Sequence, residues 1–426
     1  MNARRLLASV ASMKPLSSPE LTPDRIAALG AELQRSLHAV VRALPADASA
    51  MQSVRNAAGM NKVFASRLLK SLRQDDPLAV IYHLPGPEPL RRFLAGAEQA
   101  KVPEARRRPA AAAVAAFERL CREETGGRGG LNALIAAWLP GEQGDFAQSR
   151  KQDVYRAWSQ LKGALADASI VTVIQHPSAT AGRVDIVCFM ALLGLRRMRP
   201  GAAVKLATRR LTRSDGERAP EAHAGFADGS DPFALHEFCS APPAPIEARR
   251  IGETMHYLLG GRAFGLRSSV DMLLAEVNRS ELEYGRAPGS KPRLSHAFAE
   301  VSTPVRTLVF DLIVHEDLFP GQQPDLYLYD TTFEGVADVN DPARDLDRLD
   351  LPETVRALGS GLDALETPEF PRYPELVGRL CERLGWDPAP LRAYRCRVEY
   401  PPYGAQVVLA FATPERPAIT PRFPRR

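Results

Sequence analysis

The stretch from Met51 to Leu72 reads MQSVRNAAGMNKVFASRLLKSL. Two helical patterns flank Gly59, and glycine suits a sharp turn because it tolerates positive φ. Val54 and Ala58 lie four apart, so one helix face can present both to a following helix. Met60, Ala65, Leu68 and Leu69 supply the inward face of that second helix. Asn61, Lys62, Phe64, Ser66, Arg67, Lys70 and Arg73 are left facing outward. In a recognition helix such side chains have work to do: Asn reads adenine, Lys and Arg read guanine or hold phosphate, and Ser does either.

The flanking sequence extends this reading. From Leu21 to Ala43 the pattern is helical, with Thr22 placed to cap, Pro23 in the first turn, and Ile26, Leu29, Leu33 and Leu37 at helical spacing. Leu78 to Leu84 is short, apolar and β-prone, and Pro85-Gly86-Pro87 turns it, so a strand is expected there.

The run Gly59 to Leu69, G-M-N-K-x-x-A-S-R-L-L, resembles the winged helix-turn-helix of IclR-like transcription regulators. The likeness spans residues 46–86, with Leu78–Leu84 as half of the wing. One departure is Arg55, at a position four before the turn glycine that usually carries a small residue. The resemblance implies a recognition helix in the major groove of double-stranded DNA, and a homodimer matching a two-fold operator.

Charge distribution agrees with a nucleic-acid-binding head. The net charge is +5, but residues 1–110 hold 17 Lys+Arg against 9 Asp+Glu, and residues 111–426 hold 38 against 41. Five cysteines, Cys121, Cys188, Cys239, Cys381 and Cys396, are scattered with no CxxC pair, so neither a disulfide framework nor a zinc ribbon is indicated. No apolar run reaches the roughly 18–20 residues of a membrane span. The N-terminal twenty residues form too weak a secretory signal, so a cytoplasmic protein is expected, with no membrane partner.

The expected organisation is a flexible arm at 1–20, a helix-turn-helix domain at 21–100 and a helical connector at 101–165. An α+β effector or dimerisation domain with largely antiparallel strands follows at 166–413, then a disordered tail at 414–426. Within the effector region Ile170–Ile174, Ala203–Thr208, Thr307–His315 and Asp325–Tyr329 read as strands, and Pro374–Leu384 as a helix. Tyr394–Tyr400 and Ala405–Phe411 read as a hairpin, with 212–248 a long loop.

No phosphate-binding loop, dinucleotide fingerprint or nucleophile elbow is present, and no catalytic residue, metal or cofactor is expected. His315-Glu316-Asp317 lies at a strand end, where a metal or acid–base site can sit, but lacks a second His at ligand spacing. Asp338, Asp341, Asp345, Asp347 and Asp350 match a cation loop in composition only. The clusters Arg196-Arg197-Arg199 and Arg209-Arg210-Arg213 suit either an anionic effector or solvent. The leading reading is therefore a DNA-binding transcription regulator with a sensing or dimerisation domain and an unidentified small-molecule effector. The alternatives are an enzyme with an N-terminal helical docking module, or a scaffold protein.

Overall fold

The computed structural model describes residues 21–45, 49–59, 62–210, 223–225 and 234–416. The chain divides into two compact units, 1–146 and 147–426. It combines an α-helical unit with a unit built mainly of β-sheet, an α+β class. No helix among the described residues is long and apolar enough to cross a membrane.

Among the described residues, the first unit contains seven α-helices before Pro140: α1 Pro23–Arg42, α2 Ala50–Ala58, α3 Lys62–Ser71, α4 Pro77–His83, α5 Pro87–Gln99, α6 Glu104–Arg119 and α7 Arg128–Trp138. Thr22 caps α1 by accepting from the Arg25 N–H, with Pro23 in the first turn. Ile26, Leu33, Leu37 and Val40 form its buried stripe. Phe93 of α5, Phe117 of α6 and Ile135 of α7 share one core with that stripe. Residues 104–138, read from sequence as a connector, therefore complete the core that α1 begins.

The expected strand at Leu78–Leu84 is the helix α4 instead. Asp76 caps it, its carboxylate accepting from the Leu78 N–H at 2.8 Å, and Pro77 opens the first turn. Leu78, Val80, Ile81 and Leu84 are buried among the surrounding helices, and this packing overrides their β preference. No strand occurs among the described residues of this unit, so Leu78–Leu84 forms no wing. Gln34 of α1 donates to the carbonyls of Leu72 (3.1 Å) and Gln74 (2.7 Å), which fixes the end of α3 against α1.

Helix α8, Pro140–Lys162, ends at Gly163, whose φ of +68° turns the chain into the first strand. The helical connector was expected to run to residue 165, but the strand has begun by Ala164. The second unit's main sheet contains β1 Ala164–Pro177, β2 Arg183–Arg197, β4 His223–Gly225, β7 Val270–Glu283, β9 Val305–His315, β11 Val355–Ser360 and β12 Leu391–Glu399. Their order is β11-β12-β9-β1-β2-β7-β4. Among the described residues, only the β1–β9 pair of this sheet is parallel; its other pairs are antiparallel.

One face carries α9, Tyr373–Leu384, whose Leu376 and Leu380 share a core with Ile170, Ile174 and Phe189. The other face packs on a second sheet of β10 Asp325–Asp330, β13 Ala405–Ala412 and β8 Leu294–Glu300. Strand β9 is covered on both sides, which is why TLVFDLIV is nearly continuous apolar sequence.

A third sheet joins β3 Lys205–Arg210, β6 Thr254–Leu259 and β5 Ile246–Ile251. Part of the expected 212–248 loop lies outside the described residues. The expected hairpin of β12 and β13 is corrected: β12 pairs with β9 and β11, whereas β13 pairs with β10 and β8. Tyr400, at φ +51°, and Pro401-Pro402 carry the chain from one sheet to the other.

Candidate nucleic-acid interface

Helices α2 and α3 meet through Gly59, which ends α2 in the left-handed conformation at φ 58°, ψ 27°. Ser49 caps the start of α2 by accepting from the Gln52 N–H. Val54 on α2 is fully buried, as expected, and so are Ala65 and Leu68 on α3. Met60, Asn61 and the side chains of residues 57 and 58 lie outside the described residues.

Phe64 corrects the sequence reading. It is buried, and its ring centre lies 6.1 Å from that of Phe93 on α5. An aromatic ring at this position gains more from the core than from water, so Phe64 anchors α3 and is unavailable to a ligand.

The outward face of α3 consists of Lys62, Val63, Ser66, Arg67 and Lys70, continued by Arg73 in the following turn. Val63 is 71% exposed. No Asp or Glu occurs between Asp47 and Asp75, so no acidic side chain within this stretch screens the face. Lys62, Lys70 and Arg73 have no ion-pair partner among the described residues. A groove of about 420 Å³ runs beside this face, between Ser49 and Met51 on one side and Ser66, Lys70 and Arg73 on the other.

Arg67 is partly committed to the fold. Its Nε donates to the His83 carbonyl at 3.0 Å, at the end of α4. Arg128 donates to the carbonyls of Tyr82 (2.9 Å) and Leu84 (3.0 Å) in the same turn and lies over the Phe117 ring. The last carbonyls of a helix lack intrahelical partners. Pro85 follows directly, and these two guanidinium groups occupy the carbonyls. Burial lowers the Arg128 pKa to about 10, with Arg67 adding to the effect and Cys121 opposing it.

A second basic feature of this unit runs along α1. Arg35, His38 and Arg42, with Arg106 at the start of α6, line a groove of about 530 Å³.

The arginine clusters of the second unit are occupied structurally. Arg196 forms a two-pronged pair with Asp167 at 2.8 and 2.9 Å. Arg197 is buried and donates to the carbonyls of Ala202 and Gly260. Arg199 reaches the Leu161 carbonyl. The side chains of Arg209 and Arg210, and all of Arg213, lie outside the described residues.

No family model matches the chain, and no curated protein matches it. A solved structure from Parabacteroides distasonis, described as a "putative protease", is similar at 9% identity over 59% of this chain, with a TM-score of 0.23. The match spans 40% of that structure's length. A likeness this slight carries no argument about fold or activity.

Three tyrosines of the β12 strand and the turn after it, Tyr394, Tyr400 and Tyr403, make contacts within the second unit. Tyr400 contacts Tyr155 of α8 at 5.3 Å, Tyr403 stacks on Trp158 at 4.8 Å, and the Tyr394 hydroxyl donates to the Gln322 carbonyl. Among the acidic residues after Asp338, Asp341 caps a short 3-10 turn and Asp347 pairs with the buried Arg344 at 2.7 Å.

Sequence reasoning did not foresee a buried cluster around Asp311. Both carboxylate oxygens accept from Arg395, at 2.9 and 2.8 Å, and the Tyr373 hydroxyl donates to one of them at 2.8 Å. The Thr172 hydroxyl lies 2.8 Å from the Tyr373 oxygen. Burial pushes the Asp311 carboxyl upward, while the Arg395 bonds pull it back. Burial also raises the Tyr373 phenol well above its usual range. The cluster is enclosed, so it ties α9 to the sheet. The sequence signal for it was an Asp inside an otherwise apolar strand.

His176 and His315 end the parallel pair β1 and β9, with ring centres 4.8 Å apart. Trp386 stacks on His176 at 4.3 Å. Among the described residues, no group of three or more His, Cys, Asp or Glu could hold a metal ion.

Proposed function

We propose that the chain is a DNA-binding regulator that uses α3 as its recognition helix, with a second unit that senses a ligand. The observation that carries this reading is the outward face of α3, where Lys62, Lys70 and Arg73 have no carboxylate partner among the described residues. Unpaired cations along one helix suit phosphate and guanine contacts. The exposed Val63 methyls suit contact with a thymine methyl. Ser66 stands on the same face, and Gly59 provides the turn that such a helix pair requires.

The wing is not part of this proposal, because Leu78–Leu84 is helical. DNA contact is assigned to α3 and the turn after it. Arg67 contributes what its bond to His83 leaves free. A homodimer on a two-fold site follows from the usual symmetry of such readers.

The two basic surfaces of the first unit distinguish this assignment from simple attraction to phosphate. In a fluorescence anisotropy titration with labelled duplex DNA, Lys62→Glu with Lys70→Glu should abolish binding. Arg35→Glu with Arg106→Glu should weaken it much less. The reverse order would move the interface to the α1 groove and remove α3 as the reading helix.

A second reading, an enzyme, is favoured by one observation. His176 and His315 stand together at the carboxyl ends of the parallel β1 and β9, the end of such strands where ligands commonly bind. It predicts a hydrolytic or proton-transfer activity that His315→Ala removes.

A further inference from the structure

The main sheet leaves a cavity of about 370 Å³ beneath the third sheet. Its floor is built from side chains in register on three strands. Val171 lies opposite Met190, which lies opposite Leu274; Val173 lies opposite Cys188, which lies opposite Glu276. Tyr257 and Phe298 help to close it from above. Burial pushes the Cys188 thiol up to about 12, with nearby Glu276 and Glu281 adding to the effect, so it presents a neutral sulfur to the cavity.

At one end this cavity meets a larger one of about 600 Å³, and Gln175 and His296 line both. The second cavity is basic, with Arg286, Lys291, Arg293 and Arg416 on its walls. Arg286 pairs with Glu415 at 3.1 Å and Arg416 with Glu283 at 2.8 Å. Lys291 and Arg293 have no ion pair among the described residues, so the walls carry an excess of positive charge. Gln175, at the junction, is buried. The Thr413 hydroxyl, on the wall of the second cavity, is enclosed with no hydrogen-bond partner among the described residues. Buried polar groups are ordinarily paired, and a ligand in the second cavity would supply the missing partner.

We infer that the two cavities form one binding site for an amphipathic carboxylate, its apolar chain or ring under Tyr257 and its carboxylate between Lys291 and Arg293. The sizes match small-molecule sites, which run from about 300 to about 1,000 Å³ with a few polar groups fixing orientation. Gln175 and His296 stand where the apolar body joins the head. Burial lowers the His296 pKa, so the imidazole is neutral and can donate to the carboxylate from one nitrogen. Glu276, midway along the apolar floor, has no partner among the described residues and would accept from a hydroxyl on the ligand's body.

The test is direct calorimetric titration of the full chain with decanoate and with 1-naphthylacetate, and with decanol as the uncharged control. It reads ligand binding alone, so its outcome is separate from that of any DNA measurement. Saturable binding of at least one acid is expected, with decanol at least tenfold weaker. Lys291→Glu with Arg293→Glu, both on the surface, should weaken the acid at least tenfold without lowering the melting temperature. Leu274→Trp, which fills the apolar cavity, should abolish binding; if it fails to fold, the charge-reversal variant decides. The inference is overturned if neither acid binds, if decanol binds as tightly as the acids, or if charge reversal leaves the acid's affinity unchanged.

Discussion

Arg67 and His83, sixteen residues apart in the chain, meet where the Arg67 Nε donates to the His83 carbonyl at 3.0 Å. The bond gives Arg67 a structural duty at the end of α4 in addition to any contact it makes outside. A hydrogen bond of this kind is worth about 1 kcal/mol. Arg67→Ala should therefore lower stability by about that amount in urea denaturation, whereas Lys62→Ala should leave it unchanged. Equal stability of the two variants would mean that the Arg67 bond contributes nothing in solution.

Phe64 separates packing from recognition on the same helix. Its ring is buried against Phe93, and removing a buried Phe typically costs about 3–5 kcal/mol. Phe64→Ala should unfold or strongly destabilise the first unit, while Val63→Ala next to it should change stability by under about 0.5 kcal/mol. Circular dichroism melts of the two variants check this; a tolerated Phe64→Ala would return that ring to the surface.

Asp311 depends on Arg395 for both of its oxygens. Truncating one partner of a buried pair leaves an uncompensated charge and costs about 3–5 kcal/mol. Arg395→Ala should lose that much in guanidinium denaturation. Restoring charge neutrality with Asp311→Asn in the same chain should recover part of it. A double variant no more stable than Arg395→Ala alone would show that the carboxylate charge is not what the arginine compensates.

Two half-buried histidines set a pH dependence. Burial lowers the pKa of both His176 and His296 below the ordinary 6.5, with His315 and Arg279 also acting on His176 and Arg293 on His296. The Pro177 carbonyl and Asp185 work against the shift at His176, and Asp338 and the Leu294 backbone at His296. Each is neutral in the folded state where the unfolded chain would take up a proton. Their contribution is present above pH 6.5 and is lost as pH falls through that value toward the folded pKa. The melting temperature should drop between pH 7.5 and pH 5.5, roughly the range over which an ordinary histidine titrates. His176→Phe, which keeps a ring on Trp386, should make the drop shallower. An unchanged slope would remove His176 from the account.

Much of this architecture was legible in local sequence. Thr22-Pro23 and the spacing of Ile26, Leu33 and Leu37 define α1, and Gly59 marks the turn before α3. The apolar run around Phe310 gives the central strand β9. Asp76-Pro77 was an equally local signal, cap followed by first-turn proline, yet the β-branched Val80-Ile81 suggested a strand. Only packing among the helices decides between them. The β12–β13 hairpin was misread because sequence adjacency says nothing of which sheet each strand joins.

Phe64 falls at a position where helical periodicity alone leaves inside and outside ambiguous over ten residues. The Asp311 partners Tyr373 and Arg395 lie 62 and 84 residues further along the chain. The two-chambered cavity draws on strands from β1 to β8, so no window of sequence contains it.

The central claim, that α3 reads DNA, is tested most directly by the salt dependence of duplex binding measured by fluorescence anisotropy. Each phosphate contact releases counterions and steepens the fall of affinity with salt, by about 0.9 in the log–log slope. The account predicts an affinity that falls by orders of magnitude between about 50 and about 200 mM salt. It also predicts that Lys62→Ala, Lys70→Ala and Arg73→Ala each lower the slope by about one. Salt-independent binding, or a slope unaltered when all three cations are removed together, would contradict it.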